Sequence, residues 1–535
     1  MASTLPERSS RTAPGRRFDM GAEVTPHGVH FRVWAPKPRD VQLVVIEDGG
    51  RRTIPMALEE RGYWSAHLPG LGPGTRYAYQ LDGGEERLFA DPASRYQPDG
   101  PHGPSEVIDP TTFAWSDHGF GGVSIEGQVL YEMHIGTFTR GGTWLEAMEE
   151  LPALAELGVT VLEVMPVCDF TGRFGWGYDG VNLWAPTRLY GRPDDMRAFV
   201  DRAHALGLGV ILDVVYNHFG PDGNFLPQFA AGYLSNMIET DWGAAVNFAE
   251  PEVRNYFTSN VTYLIEEFHL DGLRIDATQD IHDTADPHIL AELTRVARES
   301  AGGKEVIVIA ENEPQHARLI RAPQDGGFGM DAMWNDDFHH TVSVALSGRR
   351  EAYYTDYLGS PQEFISCYKR GFLYQGQNYE WQKQRRGTPA FDLRAPQWIC
   401  FMQNHDQIAN SARGERCHVI AAPGLTRSLT AVMLLAPGTP MLFQGQEFLE
   451  DGWFQDSVPL DWHKSEEFSG LVRMYRDLMA LRRNEPALRR TDRRRWRVDA
   501  LGEAASVFDR GLDRRGSGAD FGAARAQCLG ADGNR

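Results

Sequence analysis

The chain has 535 residues, too many for one ordinary hydrophobic core, and its formal net charge of -20 gives nucleic acids and anionic membrane surfaces no electrostatic reason to bind. Its five cysteines are scattered without C-x-x-C spacing, which argues against a disulfide framework or a zinc site and suits a reducing cytoplasm. Residues 1–17 are polar and Arg-rich, unlike a signal peptide, and no later apolar run is long enough to cross a bilayer, so we expect a cytoplasmic protein.

The N-terminal part of the chain is predicted to be a small all-β domain. Residues 1–17 are expected to be disordered, whereas residues 18–112 show short alternating strands with Gly and Pro turns, typical of a small β-sandwich. Several strand aromatics are either sugar-stacking platforms or sandwich core, and we favour core because aromatic side chains commonly fill such interiors: Tyr63, Trp64, Tyr77 and Tyr79.

After a linker over residues 113–127, residues 128–490 alternate buried β-runs with amphipathic helices, which is typical of a parallel sheet. Eight runs are predicted to be strands: VLYEMHIG, VTVLEVMP, GVILDVVYNH, GLRIDA, VIVIAENE, AMWNDDF, WICFMQNHD and TPMLFQGQE. Eight strands close a TIM barrel, so the predicted fold class is α/β, a (β/α)₈ barrel with an N-terminal β-sandwich.

The last part of the chain, residues 491–535, is rich in Arg, Gly, Ala and Asp and carries little strand material. It resembles a short C-terminal β region that ends soon after it begins, followed by a segment from Arg510 that lacks apolar periodicity and is expected to be disordered. We interpret this as a truncated or frameshifted C-terminal domain.

Polar side chains follow nearly every predicted barrel strand. For a single strand, such residues are most simply loop residues or helix caps, but in a TIM barrel the active site gathers at the carboxyl ends of the strands, and eight such endings together favour a site. The residues are His134, Asp169, Asn217, His218, Asp276, Glu311, Asp336, His405, Asp406 and Glu447.

Two of these endings suit the hydrolysis of a glycosidic bond. Retaining glycosidases place a nucleophilic carboxylate and a carboxylic acid roughly 5 to 5.5 Å apart, close to the spacing of neighbouring parallel strands at about 4.8 Å. Asp276 ends the fourth run and Glu311 the fifth. Arg274 lies two residues before Asp276, so strand alternation points both side chains into the barrel mouth, where the guanidinium opposes protonation of Asp276.

A third acid, Asp406, follows the seventh run and is predicted to stabilise an oxocarbenium-like transition state, with His405 and His218 as hydrogen-bond donors. Metal binding is the alternative for these residues, because mixed His and carboxylate clusters also hold divalent ions. We favour a site without a metal or cofactor, since Arg274 repels a cation at that place.

The Gly-rich run FGWGYDG carries two aromatic residues in a loop above the predicted barrel mouth, Trp176 and Tyr178. The run is either an ordinary turn or a platform that stacks on pyranose faces, and we favour stacking.

Four motifs in order, DVVYNH, GLRIDA, AENE and QNHDQ, resemble those of the α-amylase superfamily of glycoside hydrolases, family 13. Within it, YEMHIGTFT, FGWGYDGVNLWAPTRLYG, NHFGPDGNFL and WNDDFHH are most similar to the maltooligosyltrehalose trehalohydrolase family. The resemblance runs from about residue 18 to 447. It implies hydrolysis of the α-1,4 bond next to a terminal trehalose unit, releasing trehalose, in functional partnership with a maltooligosyltrehalose synthase.

By this resemblance Asp276 matches the nucleophile, Glu311 the acid/base and Asp406 the transition-state stabiliser. The residues around the scissile sugar match Arg274, His218, His405 and Tyr178, and the supporting positions match Asp213 and Asn217. The residue pattern leaves two alternatives: a glucan-branching or other amylase-type enzyme, in which a sugar hydroxyl replaces water as acceptor, and a non-enzymatic glycan-binding protein.

Overall fold

The computed structural model describes residues 16–83, 87–411, 413–452, 454–489, 496–501 and 504–509, the last two ranges by their backbone only. The disorder predicted for nearly all of residues 1–17 and for the tail from Arg510 therefore lies outside the described residues. The domain boundaries drawn from the sequence remain predictions.

The N-terminal region is a β-sandwich, as predicted. One antiparallel sheet contains, in spatial order, Gly21–Thr25, Gly28–Trp34, Tyr63–Pro69 and Ala57–Leu58. The other contains Gly50–Pro55, Val41–Glu47, Arg76–Leu81 and Ser105–Glu106. Alternate residues of these strands pack between the sheets, for example Val29, Phe31 and Val33, each with no exposed surface.

The four strand aromatics considered in the sequence are all buried, so none offers a sugar platform. Trp64, Tyr77 and Tyr79 belong to the core of the sandwich, as predicted. Tyr63 is buried instead against the barrel, where its hydroxyl donates to Glu252 in helix Pro251–Glu267. The hydroxyl groups of Tyr77 and Tyr79 both donate hydrogen bonds to the buried carboxylate of Asp91, so the polar tips of these rings are satisfied inside the domain.

Eight parallel strands form a closed barrel in which each strand pairs with the next and the eighth pairs with the first. This confirms the predicted (β/α)₈ class. The strands, numbered 1 to 8 in chain order as barrel strands, are Leu130–Met133, Val161–Val164, Gly209–Val214, Gly272–Ile275, Ile307–Ala310, Ala332–Trp334, Trp398–Phe401 and Thr439–Phe443.

The helices around the barrel follow local sequence signals. The helix after barrel strand 1 begins where the Thr143 side chain accepts a hydrogen bond from the Glu146 backbone N–H and ends at Gly158 with φ 111°. The main α-helices are Trp144–Leu157, Pro193–Ala205, Pro251–Glu267, Ile289–Ser300, Asp336–Ser347, Pro361–Arg370, Pro423–Leu435 and Ser469–Asn484, with shorter ones at Ile135–Phe138, Leu226–Phe229, His405–Ala409, Cys417–Ile420 and Lys464–Glu467.

Barrel strand 6 is shorter than the run AMWNDDF suggested. The strand stops at Trp334, because the Asn335 side chain accepts a hydrogen bond from the Phe338 backbone N–H and starts a helix at Asp336. Between barrel strands 5 and 6 the described chain forms 3₁₀ turns, Ala317–Ile320 and Pro323–Asp325, in place of an α-helix.

Inward-facing side chains of the barrel change from apolar to polar towards the carboxyl ends of the strands. Leu130, Val161 and Ile211 belong to an apolar interior cluster. Two residues further along the same strands lie Glu132, Glu163 and Asp213, all buried. A polar layer thus lies directly beneath the mouth of the barrel.

Four two-stranded sheets complete the fold: Cys168–Asp169 with Asn182–Pro186, Leu234–Thr240 with Gly243–Val246, Gln377–Tyr379 with Gln384–Arg386, and Trp496–Leu501 with Ala504–Asp509. The last hairpin is the short C-terminal β region expected from the sequence, and it lies against helix Pro361–Arg370. Among the described helices, none combines the length and the apolar character that a membrane span requires.

Candidate active site

One buried arginine joins three carboxylates at the mouth of the barrel. The Nη1 atom of Arg274 donates to both carboxylate oxygens of Asp213 at 2.8 and 2.9 Å and to Oδ1 of Asp276 at 2.8 Å. Its Nη2 atom lies 2.8 Å from Oε2 of Glu311. The guanidinium carbon lies 4.0 Å from the ring centroid of Trp334, so a cation–π contact fixes its plane. The acids predicted on adjacent strands therefore lie side by side.

Burial and neighbouring charges shift the pKa values of Asp276 and Glu311. Burial raises the pKa of Asp276, Arg274 opposes this, and a hydrogen bond from Glu311 lowers the pKa of Asp276 further. Burial raises the pKa of Glu311, Arg274 opposes this, and the charge of Asp276 raises it again. The hydrogen bond between the two carboxyls lowers the pKa of Asp276 and raises that of Glu311, so it favours the proton on Glu311. Glu311 is also the more open of the two, with 21% of its side chain exposed against 11% for Asp276.

Asp406 and His405 approach the same acids from the end of barrel strand 7. Burial raises the pKa of Asp406, while the neighbouring His405 lowers it and the charge of Glu311 raises it. Glu132 accepts hydrogen bonds from the His405 backbone N–H at 3.1 Å and from its Nδ1 at 2.5 Å. Although burial lowers the pKa of His405, the contacts with Glu132 outweigh burial and raise it. His405 is thereby held as a hydrogen-bond donor.

The remaining predicted binding residues lie next to this group. The Tyr178 hydroxyl donates to Oδ2 of Asp213 at 2.6 Å, and its ring stacks on His405 with centroids 4.8 Å apart. His218 bonds through Nε2 to the Tyr178 carbonyl at 3.1 Å. Asn217 is fully buried and its side chain has no hydrogen-bond partner among the described residues, so its supporting role stays a prediction.

Trp176 lies at the edge of the site. One ring face stacks on Phe454 with centroids 3.8 Å apart, and the ring edge of His134 lies 5.0 Å away. Its predicted contact with a sugar ring is left untested by this packing.

Sequence reasoning missed the polar layer below the mouth. Glu132 and Glu163 occupy inward positions of barrel strands 1 and 2, and neither carboxylate oxygen of Glu163 has a partner among the described residues. Burial, with the charge of Glu132, raises the pKa of Glu163 well above its usual range although Arg274 opposes this, so the surroundings favour its neutral form. The available signal was a glutamate inside each of the apolar runs YEM and LEV.

A second missed network comes from a hairpin far along the chain. The Arg386 guanidinium is completely buried and donates to Asp337 at 2.9 Å and also to Glu313. Glu313 lies two residues after Glu311, so this arginine holds the loop that carries the acid. Nothing in the local sequence marks Arg386 as a partner of these residues.

Arg274 lies between Asp213, Asp276 and Glu311, the place that a metal ion shared by these carboxylates would take. The described residues contain no group of three or more His, Cys, Asp or Glu side chains arranged to hold a metal ion.

Comparison with known proteins agrees with this architecture. Residues 19–94 match the family model of carbohydrate-binding module 48, the isoamylase N-terminal domain, and residues 108–242 match that of the α-amylase catalytic domain. A malto-oligosyltrehalose trehalohydrolase of Deinococcus radiodurans is 37% identical over 95% of this chain and 92% of its own length. This chain belongs to the malto-oligosyltrehalose trehalohydrolase family.

Other members and structures extend the likeness. The trehalohydrolase of Saccharolobus solfataricus is 40% identical over 81% of this chain and 76% of its own length. The crystal structure of a putative α-amylase from Salmonella typhimurium superposes with a TM-score of 0.85 at 35% identity, covering 92% of this chain and 91% of that one. The stretch of this chain that matches the trehalohydrolases thus includes both the sandwich and the barrel.

Proposed function

We propose that this enzyme hydrolyses the α-1,4-glucosidic bond next to the terminal trehalose unit of maltooligosyltrehalose and releases trehalose. The observation that carries the proposal is the contact of one guanidinium with Asp213, Asp276 and Glu311, which holds Asp276 and Glu311 side by side in the barrel mouth. The names of the relatives support the choice of substrate.

The geometry supports a retaining mechanism. Asp276 attacks the anomeric carbon while Glu311 donates its proton to the leaving oxygen of the trehalose unit, and a glycosyl-enzyme ester forms on Asp276. Water, deprotonated by Glu311, then attacks the same carbon and releases the maltooligosaccharide. The raised pKa of Glu311 keeps the proton available for the first step.

The surrounding groups bind the scissile sugar in this proposal. Asp406 accepts hydrogen bonds from sugar hydroxyls and stabilises the oxocarbenium-like transition state. His405, held by Glu132, donates to the same ring. His218 uses its Nε2–H on the Tyr178 carbonyl, and burial lowers its pKa, so in place of the expected donor it offers Nδ1 as a hydrogen-bond acceptor. Tyr178 offers a ring face for stacking in this role, and Trp176 does so at the edge of the site.

Substrate comparison tests the proposal directly. Purified enzyme is incubated separately with maltooligosyltrehalose, maltooligosaccharide and amylose, and free trehalose, reducing ends and new branch points are measured, with Asp276→Asn as control. Trehalose from the first substrate, absent with the variant, is expected. Branch points or rapid release of reducing ends from plain glucan would assign the enzyme to a branching or amylase role, and glucan binding without turnover would favour a binding protein.

We further propose that the enzyme acts in the cytoplasm, in sequence with a synthase that makes the terminal α-1,1 linkage. The described cysteines, Cys168, Cys367, Cys400 and Cys417, are all buried and unpaired, which suits a reducing compartment. Coupled assays test the partnership: adding a maltooligosyltrehalose synthase to amylose and this enzyme is expected to yield trehalose, whereas an unchanged yield would contradict it.

A further inference from the structure

A short stretch of chain, residues 217–229, connects the barrel mouth to the interior of the sandwich; we name it the anchor segment. It begins with Asn217 and His218 at the mouth and ends with helix Leu226–Phe229. Phe229 has no exposed surface and belongs to the hydrophobic core of the sandwich, together with Phe31 and Tyr79. A barrel loop that holds a predicted substrate-binding histidine thus supplies a core residue to the neighbouring domain.

The sandwich contacts the anchor segment through hydrogen bonds to its main chain and through aromatic rings. Lys37 donates its backbone N–H to the Phe229 carbonyl at 3.1 Å and its Nζ to the Pro227 carbonyl at 2.8 Å. The Phe229 ring meets Tyr79 and Phe89 edge to face with centroids 6.0 and 6.1 Å apart. These contacts fix the far end of the anchor segment in both position and orientation.

The middle of the segment passes close to neighbouring chain at two glycines, where a side chain would not fit. A Cβ atom at Gly220 would lie 2.0 Å from the Asp179 carbonyl oxygen, and one at Gly223 would lie 2.7 Å from Cβ of Pro101 in the sandwich. Gly223 also has φ +95°, where side chains are strained. Phe225 packs on Phe89 with centroids 5.6 Å apart. The segment is thus in close contact with neighbouring chain between the barrel mouth and the core of the sandwich.

Over residues 16–83 and 87–112, the part of this region that the structure describes, the sandwich offers no exposed aromatic ring to a sugar. Every Phe, Tyr and Trp in the described residues between 16 and 112 is buried. Leu58 is the one exposed large hydrophobic side chain in those same ranges. A ring can stack on a sugar only where one of its faces is exposed, so the match to a carbohydrate-binding module does not by itself give this sandwich a binding role.

We propose that the sandwich serves as a mechanical support for the active site, and that Phe229 is the positioning residue that holds His218 against the Tyr178 carbonyl. The proposal rests on the proposed glycoside hydrolase function for its kinetic consequence. Its structural consequence, the order of the loop that carries His218, is independent of which glucan is cleaved.

The test compares three variants of the full chain. Phe229→Ala removes the anchoring ring, Phe229→Leu restores most of its apolar volume, and Phe31→Ala truncates another fully buried ring of the same core that lies outside the anchor segment. Hydrogen exchange is followed in peptides covering residues 215–222 and, for reference, residues 305–311. Hydrolysis is measured on maltooligosyltrehalose and on a chromogenic aryl α-maltooligoside.

Phe229→Ala is expected to accelerate exchange in residues 215–222 alone and to lower kcat by about 10- to 100-fold with little change in KM, since a loop displaced by about 1 Å loses transition-state contacts. Phe229→Leu is expected to recover most of the slow exchange and most of kcat. Phe31→Ala is expected to lose as much thermal stability as Phe229→Ala but to keep kcat within about twofold of the wild type, because it leaves the contacts of the anchor segment intact.

Equal exchange and equal kcat in Phe229→Ala and Phe31→Ala would overturn the proposal. Wild-type enzyme that cleaves neither substrate would instead contradict the proposed function, and the exchange data would still decide whether Phe229 orders the loop. Amylose binding is also measured for Asp276→Asn with its active site saturated by a short oligosaccharide. Strong binding under these conditions would overturn the proposal, because the sandwich would then bind glucan itself.

Discussion

Replacing Arg274 by methionine removes the guanidinium that contacts Asp213, Asp276 and Glu311 while keeping a long apolar stem in the barrel. Burial then raises the pKa of Asp276 without opposition from that charge. A cation at hydrogen-bond distance typically lowers the pKa of a carboxyl by about 1 to 3 units, so its removal raises the pKa of Asp276 by a similar amount. The fraction of enzyme with an ionised Asp276 falls accordingly on the acid side of the profile.

The assay is kcat/KM for maltooligosyltrehalose from about pH 4 to pH 8, because this ratio reports the ionisation of the free enzyme. The acid limb of Arg274→Met is expected to move to higher pH by about 1 to 3 units, which at a fixed acid pH is about a 10- to 1000-fold loss. Loss of one partner from a buried ionic group also costs about 3–5 kcal/mol of stability, so folding is checked by circular dichroism.

Arg197→Met is the matched control. Its side chain is only 1% exposed and donates to the Glu267 carbonyl and to Asp194 on the outside of the barrel. This variant is expected to lose stability while its acid limb coincides with that of the wild type. An acid limb that stays in place for Arg274→Met as well would refute the reasoning that Arg274 sets the charge of Asp276.

Three further outcomes follow from the same contacts. Glu311→Gln should lower kcat/KM, which reports formation of the glycosyl-enzyme, by about 10²- to 10⁴-fold on oligosaccharide but much less on an aryl glycoside, whose leaving group needs no proton, and equal losses would argue against Glu311 as the acid. Glu132→Gln should lower the pKa of His405, read from its imidazole NMR signals, because Glu132 raises it, and an unchanged titration would contradict this. His204 lies between two carboxylates that raise its pKa against the effect of burial, so its stabilising contribution is full below about pH 6.5, the unfolded value, and is lost as pH rises through the folded one. Thermal unfolding of His204→Gln should therefore show its largest deficit at mildly acid pH, and a deficit that does not vary with pH would be evidence against the ionised pair.

The barrel was predictable because each strand carries its own signal. Alternating or continuous apolar runs mark the eight strands, and Thr143 and Gly158 directly flank helix Trp144–Leu157 as its caps. The start of helix Asp336–Ser347 was not recognised because Asp336, Asp337 and Phe338 were assigned to the strand run AMWNDDF, and only the Asn335 cap separates that strand from the helix.

The site was predictable to the extent that it follows from strand alternation. Arg274 and Asp276 lie two residues apart on one strand, so their common direction is a local property. Arg386 reaches Glu313 from a hairpin about seventy residues further along the chain, and the stacking of Phe454 on Trp176 joins even more distant segments. Such contacts depend on the packed fold, and no periodicity in the sequence encodes them.

Trapping of the glycosyl-enzyme intermediate tests the assignment of Asp276 most directly. The enzyme is treated with a 5-fluoroglycosyl fluoride of the maltose series, digested and examined by mass spectrometry. The peptide that contains Asp276 is expected to gain one fluoroglycosyl unit on that carboxylate, and Asp276→Asn is expected to gain none. A label on Glu311 or Asp406, or the absence of any label together with a product of inverted anomeric configuration, would contradict a retaining mechanism with Asp276 as nucleophile.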